Sequence, residues 1–130
     1  MMSVRCIIAG GRDFVPSEGC LDRTISMVKQ LQVTEIVSGG ARGADRFGEQ
    51  VAEAMKLPVQ RFIPEWDRLG KSAGYIRNEA MADYALESSK PLLIAFPGGK
   101  GTGHMIDIAR RKNIMFILLD REGNQKFWEA

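Results

Sequence analysis

The chain has 130 residues, of which 45% are hydrophobic and 26% are charged, a composition typical of a soluble globular protein with one core. Its net charge of +2 is too small to favour nucleic-acid binding by bulk electrostatics, and its apolar runs are too short to predict a membrane span. His104 is the only histidine, and neither Cys6 nor Cys20 has metal-ligand spacing, so we expect no metal site. The cysteines are interpreted as thiols in a reducing cytoplasm.

Short apolar runs alternate with amphipathic segments along the chain. Strands are predicted at residues 4–9, 35–38, 58–63, 92–96 and 114–119. Helices are predicted at residues 16–31, 45–55, 75–86 and 102–109. This order predicts an α/β fold, a single Rossmann-like three-layer domain with a mainly parallel five-stranded sheet of order 3-2-1-4-5. No element is predicted in the polar tail 121–130, in which Phe127 and Trp128 are the apolar exceptions.

Glycine-rich loops follow three of the predicted strands, at residues 10–12, 38–43 and 97–103. The carboxyl ends of parallel strands meet at one edge of the sheet, where such folds bind ligands. Glycine lets backbone N–H groups approach an anion, and the helix behind each loop adds unpaired N–H groups and a favourable dipole. The sequence therefore predicts one phosphate-binding edge, at the switch point between the first and fourth strands.

A set of residues at this edge is expected to bind a ligand or its phosphate. They are Gly10, Gly11, Arg12, Ser38, Gly39, Gly40, Arg42, Gly43, Asp45, Arg77, Asn78, Pro97, Gly98, Gly99, Gly101 and Thr102. For the loop at 97–103, we favour a phosphate site formed by backbone N–H groups and the Thr102 hydroxyl. The alternative is a tight turn between strand and helix that needs glycine only for its backbone conformation. Asp45 either caps its helix or accepts a hydrogen bond from a sugar hydroxyl.

Arg77 and Trp66 carry alternative interpretations, and His104 carries a weak one. Arg77 is predicted in the first turn of a helix, where a cation opposes the helix dipole. A ligand anion would account for this placement, and so would an ion pair with Glu65 or Asp67. Trp66 either stacks on a base or packs a loop onto the domain. His104 lacks a catalytic partner motif, so a surface or supporting role is favoured.

Four segments together, 10–14, 38–45, 74–81 and 95–102, resemble the SLOG superfamily of Rossmann-like proteins, and within it the small YspA/YpsA-related group of bacteria and phages. The resemblance covers nearly the whole chain. It implies one nucleotide-binding domain over residues 1–130, located in the cytoplasm of a bacterial or phage-infected host cell. The implied role is binding of a nucleotide or nucleotide-derived ligand as a sensor, carrier or ligand sink. No other cofactor and no membrane partner is expected.

The resemblance also implies a homodimer or a higher homo-oligomer, because LOG-type relatives pair. The predicted helix at 75–86 offers Met81, Tyr84 and Leu86 for such an interface. The alternative is that these side chains pack on the sheet of their own chain.

The LOG-type phosphoribohydrolases of this superfamily carry Pro-Gly-Gly-x-Gly-Thr-x-x-Glu, and the loop at 97–102 matches all but the Glu, whose position is Met105. Arg77 matches the upstream catalytic Arg, and Glu79 is the carboxylate that could substitute for the missing one; Asp107 is displaced along its helix. An alternative function is therefore N-glycosidic cleavage of nucleoside monophosphates or related nucleotides, with Arg77 and Glu79 as catalytic residues.

A second alternative, from the Smf/DprA-like pattern at 38–45, is binding of single-stranded nucleic acid, which the near-neutral charge does not favour.

Overall fold

One sheet of six strands, in the order β3-β2-β1-β4-β5-β6, organises the computed structural model, which describes residues 2–129. The strands are β1 (Val4–Ala9), β2 (Glu35–Ser38), β3 (Val59–Arg61), β4 (Lys90–Ala95), β5 (Met115–Leu119) and β6 (Gln125–Glu129). Strands β1 to β5 are parallel, and β6 pairs antiparallel with β5. The predicted order 3-2-1-4-5 is confirmed for these five strands, and the expected limit of five is wrong.

The sixth strand escapes prediction because a tight turn, rather than an apolar pattern, returns the chain to the sheet edge. The Asp120 carboxylate accepts hydrogen bonds from the N–H groups of Glu122 and Asn124, both at 2.9 Å. Gly123 has a φ of 81°, which suits glycine. The backbone of residues 127 and 128 belongs to β6, and the side chains of Phe127 and Trp128 lie outside the described part of the structure.

Helices cover both faces of the sheet. They are α1 (Cys20–Gln30), α2 (Ala44–Met55), α3 (Trp66–Leu69), α4 (Ala73–Leu86) and α5 (Lys100–Arg111), and a 3-10 turn at Gly70–Ser72 joins α3 to α4. In the described range, no helix combines the length and the apolar character that a membrane crossing requires.

The alternation of side chains in β1 separates two apolar layers. Cys6 and Ile8 pack with residues of α1 and α2 on one face, whereas Ile7 and Ala9 pack with residues of α4 and α5 on the other. Because successive residues of a strand point to opposite faces, a run that is apolar throughout predicts a strand covered on both sides. The α/β three-layer prediction is confirmed.

The residues proposed for a dimer interface pack mainly within their own chain. Met81 is 3% exposed and lies in the core between α4 and the sheet. Tyr84 donates a hydrogen bond to Glu35 at 2.6 Å and lies beneath Arg5, whose Cζ is 3.7 Å from the ring centroid. Only Leu86 of the three is exposed. Burial in its own core rules out Met81 as an interface residue, whereas Tyr84 is partly accessible, and its interface role and the homo-oligomer stay predictions.

Two helical glycines give a matched test of the packing of α2 on the sheet. A Cβ at Gly48 in α2 would lie 2.8 Å from Ile8 Cβ, whereas a Cβ at Gly103 in α5 would meet nothing within 4 Å. We expect Gly48→Ala to lower the free energy of unfolding by about 1–3 kcal/mol through overpacking. Gly103→Ala should raise it by about 0.5–1 kcal/mol because helical glycine is entropically costly. Urea unfolding measures both; effects of the same sign would contradict this packing.

Candidate functional site

The glycine loops meet at the carboxyl edge of the sheet, between the adjacent strands β1 and β4. Gly11 N–H donates to the Pro97 carbonyl at 2.9 Å, and the Gly11 carbonyl accepts from Ala44 N–H at 3.1 Å. A Cβ at Gly10 would lie 2.6 Å from Ala44 Cβ, so a larger residue would push α2 away. The loop after β1 thus holds the other two loops together, and glycine serves close packing here.

A cleft with a volume of ≈ 360 Å³ opens between these loops and the start of α4. Several predicted residues line it, namely Gly10, Gly11, Arg12, Asp45, Trp66, Arg77, Asn78, Gly99, Gly101 and Thr102. Met81 and Met105, each at most 3% exposed, also contribute to the wall. Side chains that are far apart in the sequence therefore converge on one cleft.

Other predicted residues lie around the cleft. Gly39, Gly40 and Arg42 line an adjoining groove, which they share with Arg12 and Arg77. On the other side of the β1 loop, a second hollow of ≈ 630 Å³ is lined by residues that include Pro97, Gly98 and Arg121. Gly43, with a φ of 76°, precedes α2 and lines none of these hollows.

Ser38 shapes its loop instead of lining the cleft. Its hydroxyl donates to Glu49 at 2.8 Å and accepts from Gly40 N–H at 3.1 Å. Glu49 also binds Arg61, with its Oε1 2.7 Å from Arg61 Nη2. The hydroxyl is engaged on both sides, and this does not support the expectation that Ser38 binds a phosphate.

The charges on the cleft wall are mostly positive. Arg12 is exposed, with its Cζ 5.6 Å from the centroid of the Trp66 ring, and Lys71 lies on the same wall. Arg77 adds a third cation, and Asp45 a carboxylate. Among the described lining residues, cations thus outnumber carboxylates, which suits an anionic ligand.

Arg77 joins α4 to the loop after β2. Its Nη1 donates to the Gly39 carbonyl at 2.6 Å and its Nε to Asn78 Oδ1 at 3.1 Å. Burial lowers the pKa of Arg77, and the charge of Asp45 opposes that shift. Glu65, one of the predicted ion-pair partners, instead binds Arg68 at 2.7 Å. Partial burial in a cleft of this kind is an arrangement that functional cations adopt.

Asn78 connects α4 to the start of α5. It is 5% exposed, and its Nδ2 donates to the Gly101 carbonyl at 3.2 Å. Because Asn78 Oδ1 accepts from Arg77, Nδ2 is also the donor to His104 Nδ1, at 3.1 Å. The Tyr75 ring packs edge-on against the His104 ring, with centroids 4.5 Å apart. Asn78 therefore holds the beginning of α5 against α4.

Asp45 does not cap α2. The N-cap residue is Gly43, which forms no side-chain cap, and Asp45 follows in the first turn. Its Oδ2 accepts a hydrogen bond from Ala41 N–H at 3.1 Å. The side chain is 8% exposed, and this burial raises the pKa of the Asp45 carboxyl.

The carboxylate that the alternative N-glycosidase hypothesis assigns to catalysis, Glu79, lies away from the cleft. Glu79 pairs with Arg111 at 3.1 Å and with Lys112 at 3.5 Å, near the end of α5, and does not line the cleft. These partners lower the pKa of Glu79. Arg77 and Glu79 are two residues apart on a helix, so they point to different faces. Asp107 is exposed and pairs with Arg110. Within the described lining, Asp45 is the one carboxylate.

Lys71 and Tyr75 line the cleft without having been predicted there. Lys71 belongs to the 3-10 turn before α4, in a stretch whose irregular pattern gave no element. The signal available was its position three residues before Gly74, which opens the motif at 74–81. Tyr75 lies within that motif, which by itself predicts no role for it.

The raised pKa of Asp45 sets an expected pH dependence of stability. An acid with a higher pKa in the folded chain than in the unfolded chain destabilises the fold as the pH rises. Asp45→Asn keeps an acceptor for Ala41 N–H. The variant should have a higher Tm than the wild type at neutral pH, and the gain should vanish below about pH 4, where the carboxyl is protonated in both states. Thermal melts followed by circular dichroism test this; a gain that grows on acidification would contradict it.

Comparison with known proteins places the chain in a family. The model of the YspA, cpYpsA-related SLOG family matches residues 4–69, which include the first two glycine loops and α3. The Gene 61 protein of Mycobacterium phage D29 is 34% identical, over an alignment that covers 63% of this chain and 68% of that relative. The matched span includes the motifs at 10–14 and 38–45. The chain belongs to the YspA, cpYpsA-related SLOG family.

Proposed function

We propose that the protein binds a nucleotide or a nucleotide-derived ligand in the ≈ 360 Å³ cleft, as a sensor, carrier or ligand sink. Family membership suggests a nucleotide-related ligand. The observation that carries the proposal is the convergence of the glycine loops with Arg12, Lys71 and Arg77 on one cleft. A cleft of this volume suits a small molecule.

The phosphate is assigned to the start of α5. Gly103 N–H donates to the Gly99 carbonyl, so the preceding N–H groups, of residues 100–102, have no partner within the helix. Gly99, Gly101 and Thr102 line the cleft, and a Cβ at either glycine would meet no protein atom within 4 Å. Packing within the chain therefore does not require glycine at Gly99 or Gly101. Close approach of an anion to the backbone N–H groups would account for glycine there.

The base is assigned to the aromatic side of the cleft. Trp66 and Tyr75 are each 45% exposed although both line a cleft. Large apolar side chains left accessible beside a cleft are typical of stacking surfaces. Arg12 lies between this side and the glycine loops, since it contacts the Trp66 ring and lines the cleft with Gly11.

Arg12→Ala tests the role of the cations. Arg12 is exposed and its side chain contacts the Trp66 ring, so the fold should tolerate its removal. A charge-assisted hydrogen bond contributes about 1.5–3 kcal/mol, so the affinity for AMP or GMP should fall by about tenfold or more. Arg46→Ala is the control, because Arg46 is an exposed arginine in α2 outside the cleft.

Titration calorimetry with the wild type and both variants measures these affinities. Equal losses in Arg12→Ala and Arg46→Ala would indicate a general effect of net charge and reject the assignment. Absence of any binding by the wild type to ribonucleoside monophosphates and diphosphates would reject the nucleotide site itself.

Hydrolysis of the glycosidic bond is expected to be absent or very slow. Met105 stands where a LOG-type site needs a carboxylate, and a thioether neither stabilises an oxocarbenium-like centre nor activates water. Loss of one catalytic group costs about a hundredfold to ten-thousandfold in rate. Chromatography of released base, after incubation with the four ribonucleoside monophosphates, is the measurement. Robust turnover that is lost in Glu79→Gln would establish the enzyme with Glu79 as its carboxylate.

A further inference from the structure

Asp45 presents a carboxylate oxygen to the cleft. Its Oδ2 accepts from Ala41 N–H, and no described residue donates to its Oδ1. No buried side-chain nitrogen or oxygen in the described part of the chain lacks a hydrogen-bond partner. Oδ1 is therefore not enclosed by protein, although Asp45 is only 8% exposed, and the cleft is the space that Asp45 lines.

A buried carboxylate in a cleft for an anion has an unfavourable electrostatic effect on phosphate binding. It repels the phosphate, and its own burial disfavours the charged form. Arg77 and Arg12 offset this cost in part through their charges. An acceptor oxygen maintained under these conditions is suited to a hydrogen-bond donor of the ligand. Within a nucleotide, the donors nearest the phosphate are the ribose hydroxyls.

The position of Asp45 relative to the glycine loop before α5 agrees with a ribose. Asp45 begins α2 after strand β2, and the phosphate loop follows β4. Strands β2 and β4 flank β1, so their ends are about 10 Å apart. A ligand group bound between the loop after β2 and the loop after β4 would therefore lie next to the phosphate that we assign to the start of α5. The aromatic pair Trp66 and Tyr75, assigned to the base, comes from the separate segment that includes α3 and the first turn of α4.

We propose that Asp45 is a specificity-determining residue that accepts a hydrogen bond from the ribose 2′-hydroxyl, so that the site selects ribonucleotides against 2′-deoxyribonucleotides. This inference rests on the proposed nucleotide site and extends it to a class of ligand. Discrimination by an acceptor of this kind is strong, because a ligand without the hydroxyl leaves Asp45 Oδ1 without a donor in the occupied cleft.

Calorimetric titration with AMP, dAMP, GMP and dGMP tests the proposal. The wild type should bind each ribonucleotide about tenfold or more tightly than its 2′-deoxy counterpart. In Asp45→Asn, the preference should fall below about threefold, and the affinity for dAMP should stay equal or rise because a repulsive charge is gone. A merely structural role of Asp45 would lower both affinities in parallel.

Asp13→Asn is the matched control. Asp13 is an exposed carboxylate that pairs with Arg42 near the site, so its loss changes the net charge by the same amount. The ribose preference should remain in this variant. Equal affinity of the wild type for AMP and dAMP, or a preference that persists in Asp45→Asn, would overturn the inference and leave the nucleotide site standing. Absence of binding by all four probes would overturn both.

Discussion

The site depends on the close approach of the loop after β1 to its two neighbours. Gly11 donates to the loop after β4 and accepts from the first residue of α2, so one residue sets the distance between two helix N-termini. Both contacts need the small size of Gly10 and Gly11: a Cβ at Gly11 would lie 3.2 Å from Gly98 Cα, and one at Gly10 would overlap Ala44. Parallel strands place the loops at one edge, and the glycines bring them together there. A wider separation would divide the cleft that lies between them.

The same edge holds charges that the apolar core would exclude. A Cβ at Gly39 would lie 2.8 Å from Asp45 Oδ2 and would overlap Arg77, so its absence lets both side chains lie over the end of β2. Burial disfavours the charged form of each, and the attraction between them offsets part of that cost. Arg77 is satisfied in addition by the Gly39 carbonyl. The fold therefore maintains a pair of opposite charges whose burial the core does not require, an arrangement that is typical of functional sites.

The sequence predicts the features that depend on local residue pattern and on topology. It does not predict a residue's role where that role depends on the direction in which the side chain points. Apolar runs covered on both faces identified β1 and β4, and glycine after each of three strands placed their loops at one edge. The polar strand β6 was missed because the turn at Asp120 forms it, and Lys71 was missed because it lies in a 3-10 turn. Ser38, Glu79 and Asp45 illustrate the remaining limit. The sequence offered each as a ligand-binding or catalytic residue, and only the hydrogen-bond and ion-pair partners of their oxygens distinguish them. The Ser38 hydroxyl stabilises its own loop, Glu79 forms an ion pair outside the cleft, and the Asp45 carboxylate lines the cleft.

The balance of charge in the cleft bears on the form of the phosphate in the ligand that we propose. Three cations and one carboxylate, Arg12, Lys71, Arg77 and Asp45, give the described wall a formal charge of +3 − 1, or +2. A phosphate monoester carries about −1.5 to −2 charges near neutral pH and would neutralise this excess. A phosphodiester has about half that charge and would leave part of it uncompensated. A terminal monoester thus fits the electrostatics better than a nucleic-acid backbone does, in keeping with a small-molecule ligand. Met81 and Met105 add buried apolar side chains to the same wall, and the lower local dielectric strengthens the interactions of its two partly or fully buried charges, Arg77 and Asp45.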